Sequence, residues 1–331
     1  MRAVVLVGGL GTRLRPLTYT IPKPMLPVVH VPIIERLIGN LARGGVTEVV
    51  MALGFKPEPF LEAFPDGTCA GTKLLYAVEP EPLDTAGAIR FAADAAEIED
   101  TFVVANGDIL TDLDVAELVA FHRSTGAEGT IHLIPVDDPS AFGVVGTDDE
   151  GRVTAFVEKP APGTQPSNLI NAGTYVLEPS MLRRVPSGRK VSIERVTFPQ
   201  MVASGTLFAL PRDVYWIDTG RPELYLQANL DRLDRADRRD ALAIDRDADV
   251  DPSARIERSV VAAGARVGAG ATIEDSVILG GADIGAESSV VGSVVAGMIG
   301  AHASVAGSVI GAHGVVQAAT TMLDARIPSP S

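Results

Sequence analysis

The sequence predicts two folds in series. An open, mostly parallel, Rossmann-like α/β sheet occupies residues 1–240, 241–249 form a linker, and 250–331 form a small left-handed parallel β-helix. Three observations predict this. Short apolar runs alternate with helical patterns through the first half, as in βαβ units with right-handed crossovers. After Asp249, Lys, Phe, Tyr and Trp vanish while Gly, Ala, Ser, Val and Ile dominate. There, aliphatic residues recur at six-residue steps: Val261, Val267, Ile273; Ile278, Ile284, Val290; Ile299, Val305. That period marks coils that bury an inward row only by stacking on one another. The register slips near 274–279 and 290–299.

Residues 2–7 end in Gly8-Gly9, as a buried parallel strand feeding a glycine turn does. Further strands are expected at 46–53, 73–78, 101–105 and 130–135, with helices at 33–43, 57–64, 86–95 and 113–124. Beyond Phe142 the pattern is richer in strand, with runs at 153–157, 170–177, 207–210 and 214–217. A helix from Pro222 toward Asp240 runs into DRLDRADRRD, which reads as a solvated face with i,i+4 ion pairs.

The 331 residues suggest roughly two domains. With 46% apolar and 21% charged residues the chain sustains a core, which opposes disorder. A net charge of -14 excludes a general nucleic-acid binder, yet leaves small anionic substrates open where Arg and Lys gather locally. The single cysteine, Cys69, excludes an internal disulfide and a Cys-based zinc site. A cytoplasmic location is expected. The N-terminal apolar run is too short for a signal segment, and no stretch approaches the ~18 apolar residues of a membrane span.

The loop Gly8-Gly9-Leu10-Gly11-Thr12-Arg13 follows the first strand directly. Glycines there let backbone N–H groups close around a phosphate. A dinucleotide fold would need G-x-G-x-x-G and an acid ending the second strand, where the chain has Met51-Ala52-Leu53-Gly54. No G-x4-G-K-[ST] exists either. After the glycines come Leu14-Arg15-Pro16-Leu17-Thr18 and Ile21-Pro22-Lys23-Pro24-Met25-Leu26. The prolines stiffen this segment and forbid a regular helix. Arg13 and Lys23 on a rigid loop suit a triphosphate that leaves as pyrophosphate.

Over about residues 1–230 this string resembles the sugar-1-phosphate nucleotidyltransferase family, the nucleotide-sugar pyrophosphorylases. The C-terminal repeats are similar to those of its mannose-1-phosphate guanylyltransferase branch. The resemblance implies that a nucleoside triphosphate and a sugar 1-phosphate, with GTP and mannose 1-phosphate the best match, give a nucleoside-diphosphate sugar and pyrophosphate.

It also implies a set of roles. Leu6, Gly8, Gly9, Gly11, Thr12 and Arg13 bind nucleotide. Asp108 of Asn106-Gly107-Asp108 and Asp218 of Trp216-Ile217-Asp218-Thr219-Gly220 resemble the two Mg²⁺ carboxylates, although Asp108 alone reads equally as a helix cap. Neither has a His or Cys neighbour, which speaks against zinc. Glu158 and Lys159 resemble the pair that holds the sugar hydroxyls and the sugar phosphate. Neighbouring strand residues face opposite ways, so the strand must end there, and Pro160 fits that need. Asn171 and Gly143 resemble further sugar contacts. Arg13, Lys23, Asp108, Lys159 and Asp218 form the catalytic set.

The segment from Tyr76 to Gly87, with Glu79, Asp84 and Gly87, resembles the loop that reads the base. Glu79 is acceptor-only and matches N1–H and N2–H of guanine, whereas thymidylyl members carry Gln there. Ser192-Ile193-Glu194-Arg195 with Phe198-Pro199 adds to the guanylyl resemblance. Asp84 departs from the usual glycine, which puts the base in question. The alternatives are a glucose-1-phosphate thymidylyl- or uridylyltransferase and a non-catalytic nucleotide-sugar sensor, the latter opposed by the intact catalytic set. The β-helix is expected to serve packing or homo-oligomerisation, with His302 and His313 its only histidines for a second activity such as acyl transfer. The two domains are expected to be independent.

Overall fold

The computed structural model describes residues 1–9, 11–54, 57–235 and 243–329. They form two compact units: Met1–Gly9 with Ile34–Trp216, and Leu10–Ile33 with Ile217–Ser331. The change of composition divides the sequence at 241–249. The compact units break the chain after Gly9, Ile33 and Trp216.

In the first unit the strands are β1 (Arg2–Leu6), β2 (Glu48–Leu53), β3 (Thr72–Val78), β4 (Phe102–Asn106), β5 (Gly129–Pro135), β6 (Gly143–Thr147), β7 (Val153–Glu158), β8 (Leu169–Leu177) and β9 (Leu207–Pro211). One sheet takes them in the order β7-β6-β8-β4-β1-β2-β3, ending on a short edge strand, Thr68–Cys69. Its centre, β4-β1-β2-β3, is parallel. Ala3, Val4 and Val5 are fully buried there, because β1 has helices and sheet on every side. The far half is antiparallel, with β8 pairing β4, β5 and β6 and β9 adding parallel to β5. The sheet is therefore mixed. β6 reads Gly-Val-Val-Gly-Thr and gives little strand signal, since glycine removes the side chains that mark a pleated face.

Helices α1 (Ile33–Arg43), α2 (Asp84–Ala95) and α3 (Val115–Thr125) lie near the expected bounds. Ala86, Ala88, Ile89, Ala92 and Ala93 of α2 join the core with Val4, Val50 and Val104. Strand order reverses between β1 and β4, so the carboxyl ends of these two strands flank the crevice where open α/β sheets bind ligands. Cys69 is buried, and burial pushes its thiol up to about 12.

His132 on β5 is fully buried, and neither ring nitrogen has a hydrogen-bond partner among the described residues. Burial pushes it down to about 4, opposed by the Arg212 backbone and aided by the Arg212 charge. The unfolded chain therefore binds the extra proton first. The stability tied to neutral His132 is complete above about pH 6.5 and falls as pH drops toward 4, at about 1.4 kcal/mol per pH unit. Urea unfolding at pH 7 and pH 5 is expected to lose less stability in His132→Leu than in wild type; equal losses would refute the assignment.

In the second unit, three parallel sheets of five strands form the walls of the β-helix. Arg255 pairs Thr272, Thr272 pairs Ser289, Ser289 pairs Ser304 and Ser304 pairs Thr321. The coil is thus 17 residues long, except for one of 15. Successive strands start six, five and six residues apart, which explains the slip at 274–279: a five-residue corner recurs in every coil. The slip at 290–299 is the short coil, whose corner between Val294–Val295 and Met298–Ile299 takes only four residues. The inward row, with Val261, Val267, Ile273, Ile278, Ile284, Val290, Ile299 and Val305, is buried throughout and continues through Ile310 to Val316.

Serines turn the five-residue corners. The Ser259, Ser276, Ser293 and Ser308 hydroxyls each accept the N–H of the equivalent residue one coil on, at 3.0–3.1 Å, and each donates to the carbonyl two residues back.

This unit also holds the segment after the glycine turn. It forms 3-10 turns at Thr12–Leu14, Leu17–Tyr19 and Lys23–Met25, as its prolines require. Helix α4 (Pro222–Asp234) anchors the end of this segment: Asn229 accepts the Val29 N–H at 2.9 Å and Tyr225 donates to the Pro27 carbonyl. Of the charged stretch at 231–240, residues 231–234 belong to α4, and 236–240 lie outside the described residues. No helix among the described residues is long and apolar enough to cross a membrane.

Candidate active site

The first unit carries one group of candidate residues around the end of its parallel strands. β1 runs into Gly8-Gly9. A Cβ on either glycine would meet nothing within 4 Å, and Gly9 has φ +117°, so the chain turns here with an open surface beside it. After β4, the Gly107 N–H donates to the Leu6 carbonyl at 2.8 Å, and a Cβ on Gly107 would lie 2.8 Å from that same oxygen. This close approach fixes half-buried Asp108 beside the end of β1.

Glu79 follows β3 and is only 8% exposed. Its Oε2 accepts the Leu83 N–H at 2.8 Å, and burial pushes its carboxyl up against that bond. Asp84 opens α2 at φ +61°, a conformation that costs any residue but glycine. The usual glycine is thereby explained. The Asp84 side chain is exposed and turns to its own backbone, accepting the Thr85 N–H at 2.9 Å. Gly87 is buried, and a Cβ there would strike the Arg189 carbonyl. Its missing side chain is accounted for by packing of α2 on the 189–191 segment.

β7 ends at Glu158, and Lys159 takes φ +51°. The strand breaks where the sequence requires it, and the two side chains come round to 3.7 Å, Nζ to Oε1. Gly143 pairs directly with Glu158, and a Cβ there would lie 3.0 Å from Oε2. Burial pushes the Glu158 carboxyl up, Glu194 adds to this, and Lys159 opposes it. Asn171 sits where the β8–β5 register shifts; it accepts the Gly173 N–H at 3.0 Å and donates to Tyr175 at 2.9 Å.

Glu194 carries no site role in the sequence reading. It accepts from Thr85 at 2.8 Å and Ser192 at 2.6 Å, tying the start of α2 to the neighbourhood of Glu158. Its signal, an acid two residues after a capping serine, is too common to single out.

The second unit carries another group. Gly11, at φ +58°, has its Cβ position 2.9 Å from Thr18 and starts the turn that bears Thr12 and Arg13. Lys23 is 8% exposed and lies 3.4 Å from Asp218 Oδ1, which also accepts the Gly220 N–H at 2.8 Å. A Cβ on Gly220 would meet Asp218 Oδ1 at 2.8 Å, Arg13 Nη2 at 2.9 Å and Lys23 Nζ at 3.0 Å. Two cations and a carboxylate thus converge on one glycine, from positions some 200 residues apart in sequence.

The donor chemistry fits Mg²⁺. Asp108 in the first unit and Asp218 in the second each offer a hard carboxylate, and no three His, Cys, Asp or Glu side chains gather as a metal cage among the described residues. Mg²⁺ takes one or two carboxylates and completes its shell with phosphate oxygens and water.

Residues 2–235 match the family model for nucleotidyl transferase, and residues 239–330 match that of the GMPPB C-terminal domain. The chain belongs to the nucleotidyl transferase family and is a nucleotidyltransferase. Within that family it is similar to a mannose-1-phosphate guanylyltransferase of Mycobacterium tuberculosis, at 42% identity over 80% of this chain and 76% of the relative. A probable mannose-1-phosphate guanylyltransferase 1 of Oryza sativa is 43% identical over 68% of this chain, and a mannose-1-phosphate guanyltransferase of Schizosaccharomyces pombe is 42% identical over the same share. Those alignments span 63% and 62% of the relatives' lengths, under two thirds of each. Among solved structures, HddC from Yersinia pseudotuberculosis is 32% identical with a TM-score of 0.60, covering 70% of this chain and 99% of that one. A putative glucose-1-phosphate thymidylyltransferase from Bacillus anthracis shares the fold at 23% identity and a TM-score of 0.64, covering 71% of this chain and 96% of that one.

Proposed function

We propose that this chain transfers a guanylyl group from GTP to mannose 1-phosphate, giving GDP-mannose and pyrophosphate. The name shared by its relatives at 40–43% identity carries the choice of substrates. Glu79 adds a physical reason for the base. With Oε2 held by the Leu83 N–H, the carboxylate has acceptor capacity for guanine N–H groups and repels the carbonyls of pyrimidines.

The sugar-phosphate oxygen attacks the α-phosphorus in line and pyrophosphate leaves. That nucleophile is already ionised at neutral pH, so no general base is required. The backbone after β1, from Leu6 through Gly8, Gly9, Gly11 and Thr12, cradles the triphosphate. Arg13 and Lys23 stabilise the departing pyrophosphate. Lys159 offsets repulsion between the two anions, while Glu158, Asn171 and the Gly143 backbone hold the sugar. Asp108 and Asp218 are the proposed Mg²⁺ ligands; when bound, the ion neutralises and orients phosphate oxygens. Asp84 and Gly87 shape the base loop. We also propose residues 1–240 as the catalytic domain, 241–249 as the linker, a cytoplasmic location, and homo-oligomerisation through the β-helix at 250–331.

A panel of GTP, dTTP, UTP and ATP against mannose and glucose 1-phosphates tests the reading. Wild type is expected to prefer GTP, and Glu79→Gln to erode that preference by ~1–3 kcal/mol, the worth of a charged hydrogen bond. Asp84→Gly is expected to leave the preference intact, since the Asp84 carboxylate faces its own backbone. Preference for dTTP in wild type, or unchanged ratios in Glu79→Gln, would sink the guanylyl reading.

A further inference from the structure

Two residues of the last β-helix coils touch the loop that carries Arg13. Arg326 opens the final strand, held in register by the pairing of Val309 with Arg326 and Ile310 with Ile327. Its Nη1 donates to the Arg13 carbonyl at 3.0 Å. Within the loop, the Gly11 and Thr12 carbonyls take the Leu14 and Arg15 N–H groups at 2.9 and 3.2 Å. The Arg13 carbonyl takes its donor from the β-helix instead. Three residues on, Pro16 lies against Gly311 of the preceding coil. A Cβ on Gly311 would sit 2.8 Å from the Pro16 Cβ and 3.0 Å from the Pro16 carbonyl oxygen. A methyl there would have to push the Pro16 ring and backbone aside. The Gly311 N–H is itself bound to the Ile327 carbonyl at 2.8 Å, which locks the two contacts to each other.

We propose that Arg326 and Gly311 are positioning residues for nucleotidyl transfer. They hold the backbone of Arg13 and Pro16 so that the Arg13 guanidinium stands over Gly220 beside Lys23. The proposal rests on the reading of Arg13 as a pyrophosphate-binding cation. A guanidinium that must meet charge as the bond breaks is sensitive to placement, and a shift of about 1 Å at such a group costs up to ~10²-fold. The β-helix thereby serves the chemistry of its own chain, a role separate from packing or assembly.

The test uses the full-length enzyme in both directions, with Arg326→Ala, Arg326→Lys, Gly311→Ala, Arg13→Ala and the double variant Arg13→Ala/Arg326→Ala. In pyrophosphorolysis, Arg326→Ala and Gly311→Ala are expected to raise KM for pyrophosphate about 3- to 10-fold while KM for GDP-mannose stays within about twofold, a displacement short of the full misplacement cost. Arg326→Lys is expected to restore part of the loss. Arg326→Ala is expected to add nothing in the Arg13→Ala background, as two residues acting through one group require. Hydrogen exchange gives a readout free of activity: amides of residues 12–18 are expected to exchange faster in Arg326→Ala, with 260–300 unchanged. Unchanged exchange at 12–18, or a parallel rise in both KM values with a lowered Tm, would overturn the positioning role. If Arg13→Ala leaves KM for pyrophosphate unchanged while exchange at 12–18 still responds to Arg326→Ala, the brace stands and the reading of Arg13 fails.

Discussion

Asp218→Asn and Asp108→Asn are each expected to lower turnover by at least ~10²-fold, because each removes a full charge acting where phosphate charge develops. Asparagine keeps the size of the side chain, so the change is electrostatic. At position 218 it acts twice. The carboxylate is a proposed metal ligand, and its Oδ1 also faces the Lys23 ammonium at 3.4 Å and takes the Gly220 N–H at 2.8 Å. Lys23 is nearly buried, and the substitution removes a full negative charge that faces its ammonium. Asp218→Asn is therefore expected to cost stability as well as rate. Asp108→Asn is expected to cost rate and to raise the Mg²⁺ concentration that gives half-maximal activity. Titration of activity against Mg²⁺, with Tm measured on the same samples, checks both. Normal magnesium-dependent turnover in either variant would remove that residue from the metal site.

Gly220→Ala is expected to lower turnover about 10²-fold, since the added methyl would enter the point on which Arg13, Lys23 and Asp218 converge. The nearest atoms, at 2.8–3.0 Å, are the ends of charged side chains. Those ends can move aside, so the fold survives and the arrangement of charges does not. The expected signature is a lowered kcat with a Tm within a few degrees of wild type. A variant with full activity would show that the three groups do not need this geometry.

The catalytic sheet was readable where strands are continuously apolar, as in β1 and β4, and where glycine or proline marks their ends. β6 was hidden because two of its five residues are glycines. The slips in the hexapeptide pattern were visible, but their cause was not: a five-residue serine corner and a four-residue corner both look like lost register until the coils are stacked. Among the candidate site residues, the bend that brings Lys159 beside Glu158 was legible, because the strand end and Pro160 dictate it. The grouping of Arg13, Lys23 and Asp218 around Gly220 depends on tertiary packing, so no spacing in the chain announces it. The same holds for Glu194, whose tie to Thr85 spans more than a hundred residues. Asp84 is the converse case. Its departure from glycine was plain in the sequence, and only its positive φ and inward-turned hydrogen bond say what the departure costs.

The serine corners give the β-helix a fixed rise, and so make it a measuring stick. Each coil advances the stack by one strand spacing, about 4.8 Å. Arg326 and Gly311 reach the loop because they stand at a set height on that stack. One corner is two residues shorter than its equivalents at the same height, since all three walls keep their pairing across the short coil. Gain or loss of an entire coil before Gly311 is another matter: it would move both residues by a full rung and leave Arg13 and Pro16 unsupported. The corners can thus differ in length without moving these contacts, whereas a change in the number of rungs below Gly311 is expected to break them.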